Sequence, residues 1–125
     1  MISQFIDEDV FRYVEDFSSE IEKFKDLVCY AAENRVPIVS QDVARFLEFL
    51  LKTIKPKNIL EIGSAIGYSS LLMQKASGAN IFTIEKDEDT FKILENNLKK
   101  YDKDNKIKAV NDDAISLSLI HISEP

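Results

Sequence analysis

Residues 58–70 read NILEIGSAIGYSS, and how this stretch is read decides the fold. An apolar run interrupted by one acid, Glu61, gives way to a turn bounded by Gly63 and Gly67, with serines at 64, 69 and 70. The pattern predicts a short buried strand, NILEI, then a tight turn, then a helix from about Tyr68 to Ala76 ended by Gly78. Toward the C-terminus the rhythm repeats. NIFTI (80–84) reads as a second strand, Phe91, Leu94, Leu98 and Tyr101 mark a second helix, and KIKAV (106–110) reads as a third strand. Two consecutive βαβ units at this spacing predict a parallel sheet with right-handed crossovers.

Toward the N-terminus the sequence is helical. In SSEIEKFKDLVCYAAENR (18–35), Ser19 and Glu22 form a capping-box pattern, and Ile21, Phe24, Leu27, Val28 and Ala31 keep one apolar stripe. Cys29, among these apolar neighbours, is expected to be buried. Pro37 in VPIVS (36–40) breaks the helix, and Ser40 is the expected N-cap of the next one, with Asp42 in its first turn. Val43, Phe46, Leu47, Leu50, Leu51 and Ile54 follow at helical spacing until Pro56 stops the run. The expected fold class is therefore α/β: a Rossmann-like parallel sheet of about three strands, half of a doubly wound fold, preceded by N-terminal helices. Residues 1–56 form the helical segment that packs on the sheet, and residues 57–114 form the sheet half.

The bulk numbers narrow the function classes. The chain has 125 residues, enough for one modest core, with 45% hydrophobic and 30% charged content. No apolar stretch approaches a membrane span, and the acidic start, MISQFIDEDVFRYVEDF, is unlike a targeting segment, so a cytoplasmic protein is expected. One cysteine and one histidine, His121, make neither an internal disulfide nor a zinc site. A net charge of −6 argues against strong nucleic-acid binding by this stretch alone. Lys92, Lys99, Lys100, Lys103, Lys106 and Lys108 alternate with Glu95, Asp102 and Asp104, which reads as a solvated mixed-charge face.

In open α/β sheets ligands bind beyond the carboxyl ends of the strands, which points to the turn after NILEI. The turn is not a phosphate loop, because no Gly-Lys-Ser/Thr follows, and it is not G-x-G-x-x-G, because Ala65 stands between Gly63 and Gly67. Glu61 at the strand end would repel a pyrophosphate but suits a cationic ligand. Glu85, 22 residues after Gly63, stands about where such folds keep the acid that binds ribose hydroxyls. A cationic ligand with a ribose and no phosphates describes S-adenosylmethionine. Plain turn chemistry, with a solvated acid after the second strand, accounts for the same residues and stays open at this point.

VPIVSQDVARFLEFLLKTIKPKNILEIGSAIGYSSLLM (36–73), followed by IFTIEKD (81–87) and NDDA (111–114), resembles the N-terminal half of the catechol/caffeoyl-CoA type of S-adenosylmethionine-dependent O-methyltransferase. Within that family the wording is similar to small bacterial members, among them the tRNA 5-hydroxyuridine methyltransferases. The resemblance covers about Phe17 to Ala114. It implies that Val39 meets the methionine portion of the cofactor through its backbone. Glu61 and Gly63 would lie along the methionine part, with Glu61 near its ammonium, and Ser69 would bond its carboxylate or amine end. Glu85 would bind both ribose hydroxyls, and Asp113 and Ala114 would flank the adenine. The helix start at Tyr68–Ser70 also offers free N–H groups to the methionine carboxylate.

The resemblance also implies a reaction: methyl transfer to a hydroxyl activated by a divalent metal, Mg in the parent protein. The family's metal ligands lie beyond the Asp-Ala pair, so no catalytic or metal-binding residue is assigned, and Asp112 is read as a turn residue. Residues 115–125, ending SLIHISEP, depart from the family pattern and read as an aberrant tail on a fragment. The 125-residue chain is accordingly expected to be inactive by itself, with an unpaired hydrophobic sheet edge, while the longer parent is expected to be a homodimer. The implied acceptors are 5-hydroxyuridine in tRNA or, alternatively, a catechol or phenolic acyl thioester. Two rival readings are an NAD-type half-domain, which would want G-x-G-x-x-G and no Glu61, and a non-catalytic binding or dimerisation module built on the N-terminal helices.

Overall fold

A computed structural model describes residues 8–9 and 19–117. Helices α1 (Ser19–Glu22), α2 (Lys25–Asn34) and α3 (Gln41–Ile54) precede strand β1 (Asn58–Ile62), helix α4 (Tyr68–Ser77), strand β2 (Asn80–Glu85), helix α5 (Glu88–Tyr101) and strand β3 (Ile107–Asn111). The strands form one sheet in the order β1-β2-β3, and both pairings are parallel. This is the α/β class that the strand–turn–helix rhythm predicts.

One face of the sheet meets α4. Register pairs Glu61 with Thr83 and Thr83 with Ala109, and Ile59, Ile81 and Ile107 share that face. Ile81 and Ile107 are buried there, together with Leu71, Leu72 and Ala76 of α4. The opposite face is open at β1, where Leu60 and Ile62 are 65% and 68% exposed. NILEI is thus an edge strand and not the buried strand its composition predicts, because nothing among the described residues pairs with its outer side. Among the described residues β1 therefore leaves one hydrogen-bonding edge of the sheet unpaired.

The N-terminal helices differ in detail from a single amphipathic rod. The stripe Ile21, Phe24, Leu27 and Ala31 is buried, but the helix breaks at Lys23–Phe24. Phe24 takes φ −116°, ψ 26°, and its ring meets Tyr101 of α5 edge-on at 5.2 Å. The side chain of Ser19 lies outside the described residues, so the capping-box expectation does too, as do His121 and the tail from 118 onward. Cys29 is exposed, contrary to expectation. Leu27 and Ala31, one helical turn apart, point inward, and Cys29 falls halfway between them on the far side of α2.

Helix α3 starts as predicted, with Ser40 Oγ accepting from the Val43 N–H and Asp42 in the first turn. Its packed face keeps only part of the predicted stripe: Leu51 is buried and Leu47 and Leu50 are half-buried. Ala44, Glu48 and Leu51 are buried, while Val43, Phe46 and Ile54 are exposed, and Phe49 with them. Helix α3 packs along α4, with the small Ala44 fully buried on its inner face. The Glu48 carboxyl is buried, with Oε1 3.3 Å from Lys52 Nζ and no hydrogen-bond partner for Oε2. Burial raises its pKa above the ordinary glutamate value, against the opposing pull of Lys52. The lysines from 92 to 108 singled out above are all exposed, as a solvated face requires.

Candidate functional site

The carboxyl ends of the three strands are knitted together by hydrogen bonds. After β1 the chain turns at Gly63 (φ +87°), and the N–H groups of Gly63 and Ser64 both donate to the Ile84 carbonyl, at 2.8 and 3.3 Å. Ala65 follows at φ +48°, and Gly67 at φ +96° delivers the chain into α4. Asn97 of α5 supports this turn from outside by donating to the Ile66 carbonyl at 2.8 Å.

Glu85 closes the turn from the end of β2. Its Oε1 accepts from the Ala65 N–H at 2.8 Å and its Oε2 from the Asp87 N–H at 3.0 Å. The third strand end is tied to the same place: the Asp112 N–H donates to the Glu85 carbonyl at 3.1 Å, and Asn111 Nδ2 to the same oxygen at 2.9 Å. Asp113 then caps a helical turn at 114–117, its Oδ1 accepting from the Ile115 N–H at 2.8 Å. Asp112 accepts from the Asp113 N–H, as a turn residue would.

A cleft of about 280 Å³ lies between the Pro37–Val39 segment and the glycine turn, bordered also by Tyr68 and Ser69. Tyr68 is buried and accepts a hydrogen bond from Gln41 Nε2 at 3.1 Å, which fixes the start of α3 to the start of α4. Desolvation raises the pKa of its phenol. The position of a Cβ on Gly63 is open space. A backbone cradle, a serine and free N–H groups at the first turn of an α-helix suit a small zwitterion.

Of the residues singled out from the sequence, Val39, Gly63 and Ser69 border this cleft. Glu85, Asp113 and Ala114 stand at the ends of β2 and β3, joined to the turn through Ala65 and Asp112. Glu61 behaves differently from a simple lining residue. Its side chain runs beneath the first turn of α4, where Oε1 accepts from Ser70 Oγ and from Thr83 Oγ1, and Oε2 from Ser69 Oγ. Ser64, Ser70, Thr83, Tyr68 and Asn97 were not singled out individually as site residues. The three serines in thirteen residues carried a signal for this network, whereas Thr83 is visible only once β2 is set in register with β1. Among the described residues no group of three or more His, Cys, Asp or Glu could hold a metal ion.

A parallel sheet whose strand ends gather a glycine turn, an acid at the second strand and a capped acidic turn is the arrangement of a Rossmann-like α/β fold. The O-methyltransferase family model matches residues 14–121, and the chain belongs to that family. A catechol O-methyltransferase of Niastella koreensis is 29% identical over 98 residues, covering 71% of this chain and 44% of its own length. A solved structure from Staphylococcus aureus, described as a caffeoyl-CoA O-methyltransferase, superposes with a TM-score of 0.71 at 29% identity, covering 90% of this chain and 55% of its own. An O-methyltransferase from Bacillus cereus, solved in complex with S-adenosylhomocysteine, gives a TM-score of 0.65 at 26% identity, covering 94% and 56%. The chain thus spans about half the length of these relatives.

Proposed function

We propose that this chain is the cofactor-binding half of an S-adenosylmethionine-dependent O-methyltransferase acting on a phenol-type hydroxyl. The carrying observation is the bond from the Ala65 N–H to Glu85 Oε1, which sets the β2 acid against the glycine turn beside a cleft. Residues 57–114 form this half, with residues 1–56 as the helical segment beside it, contributing Val39. In this reading Val39 and Gly63 hold the methionine chain by their backbones, and Ser69 and Glu61 take its charged end. Glu85 takes the ribose hydroxyls, and Asp113 and Ala114 border the adenine. Bound S-adenosylmethionine would supply an electrophilic methyl group.

The described residues do not fit a metal such as Mg. In this reading the acceptor is met by the part of the relatives' length that this chain does not span. The catechol and caffeoyl-CoA names of the relatives support a phenolic acceptor over 5-hydroxyuridine in tRNA, as does the net charge of −6. The parent acts as a cytoplasmic homodimer in this reading. No helix among the described residues is long and apolar enough to cross a membrane.

Calorimetric titration with S-adenosylhomocysteine tests the assignment. Glu85→Ala is expected to weaken binding by about 1–3 kcal/mol, roughly five- to 150-fold, from lost charge-assisted hydrogen bonds. An unchanged dissociation constant would sink the ribose assignment.

A further inference from the structure

We propose that Thr83 and Ser70 are positioning residues that hold Glu61 for the amino-acid end of the ligand, and that the Ser69–Glu61 hydrogen bond is a placeholder which that end replaces. This rests on the cofactor reading above and adds to it how the zwitterion is selected.

The two oxygens of Glu61 have unequal surroundings. Oε1 accepts from Ser70 Oγ and, at 2.8 Å, from Thr83 Oγ1. Both donors are fully buried, at 0% exposure. A hydroxyl has one hydrogen to give, and that of Thr83 is spent on Glu61. In the contact between Ser64 Oγ and Thr83 Oγ1, Ser64 is therefore the donor, and it too is buried. A directed chain runs from Ser64 through Thr83 to Oε1, with Ser70 arriving from α4. That oxygen is anchored from two elements at once, β2 and α4.

Oε2 has a single donor, Ser69, which is half-buried and borders the cleft. Oε2 is the oxygen left for a ligand. An ammonium group placed there brings its own donors and displaces the Ser69 hydroxyl. The freed hydroxyl then donates to the carboxylate of the same ligand, beside the N–H groups of the first turn of α4. One internal hydrogen bond is exchanged for two to the ligand, and the exchange is complete only for a group carrying both ammonium and carboxylate. A fixed Oε1 is what leaves Oε2 standing when Ser69 lets go.

The experiment compares S-adenosylhomocysteine with 5′-deoxy-5′-methylthioadenosine, which keeps the nucleoside and lacks the amino-acid end, by calorimetry on the whole chain. Wild type is expected to prefer S-adenosylhomocysteine by about tenfold or more, since charge-assisted hydrogen bonds are at stake. Thr83→Val keeps the side-chain shape and is expected to lower that preference by about three- to tenfold while leaving methylthioadenosine affinity unchanged. Ser70→Ala acts on the same oxygen from α4 and is expected to do the same. Methylthioadenosine binding serves as the control for folding in each variant. A preference retained by both variants overturns the positioning role and leaves the cofactor reading standing. Equal binding of the two ligands by wild type overturns the exchange itself. Binding of neither by wild type removes the cofactor reading and this inference together.

Discussion

Replacing Gly67 by alanine tests how the glycine turn is built. Gly67 has φ +96°, and a Cβ there would sit 2.7 Å from Cδ1 of Leu94 in α5. Leu94 is fully buried, so its side chain can yield only against packed neighbours. An alanine held in the left-handed region costs about 1–2 kcal/mol, and forcing a packed leucine aside costs about 1–3 kcal/mol more. Reduced freedom of the unfolded chain returns about 0.4–1 kcal/mol. The net expectation for Gly67→Ala is a loss of about 3 kcal/mol. Gly63 is the internal control: it has φ +87°, but a Cβ on it meets nothing within 4 Å. Gly63→Ala therefore carries the backbone penalty alone, about 1 kcal/mol. Urea unfolding followed by far-ultraviolet circular dichroism separates the two on a total stability of about 5–15 kcal/mol. Adding Leu94→Ala to Gly67→Ala should cost less than the sum of the single losses, because the leucine is what the new methyl strikes. Equal losses for the two glycine variants, or strict additivity with Leu94→Ala, would refute the argument.

Two further predictions concern buried acids. Glu48 binds its proton more tightly folded than unfolded, because burial raises its pKa, so its contribution to stability is lost as pH rises above the ordinary value of 4.5. Lys52, Glu20 and Tyr68 are the charged or titratable groups coupled to it. The midpoint of Glu48→Gln should gain on that of wild type as pH is raised from about 4.5 to 7 in thermal melts, and a flat difference would remove Glu48 as the cause. Asp102 ends α5 with both oxygens in use, Oδ1 accepting from the Lys106 N–H and Oδ2 from the Ile107 N–H at 2.9 Å. Asp102→Ala is expected to cost about 2–3 kcal/mol in urea unfolding, since it leaves backbone donors at the start of β3 without partners; a loss below about 0.5 kcal/mol would contradict that role.

The strand–turn–helix alternation from Asn58 to Asn111 was legible in the sequence because local period, helix caps and turn glycines all favour the same elements there. Gly78 and Ser40 stand where helices were expected to end and begin. Burial was less legible. Which residues of α3 pack is a tertiary outcome: Ala44, Glu48 and Leu51 are buried, whereas Val43, Phe46 and Ile54 of the hydrophobic stripe are exposed. Cys29 was misjudged through its neighbours in sequence, when the helical angle from Leu27 and Ala31 sends it outward. NILEI has the composition of a buried strand and sits at an edge, since composition says nothing of how many neighbours a strand has. In the site, Glu61 and Glu85 were visible by spacing. Thr83 and Ser64 were not, because Thr83 reaches Glu61, and Ser64 reaches Thr83, only once β2 lies in register beside β1.

Amide chemical-shift mapping of the isotope-labelled chain, titrated with S-adenosylhomocysteine and separately with NADH, tests the central claim most directly. S-Adenosylhomocysteine is predicted to move the amides of Gly63, Ala65, Ser69, Glu85 and Asp113 while leaving Lys99, Lys103 and Asn105, on the far groove between α5 and β3, unchanged. NADH is predicted to move none of them. Shifts at the glycine turn with NADH and none with S-adenosylhomocysteine would contradict the account.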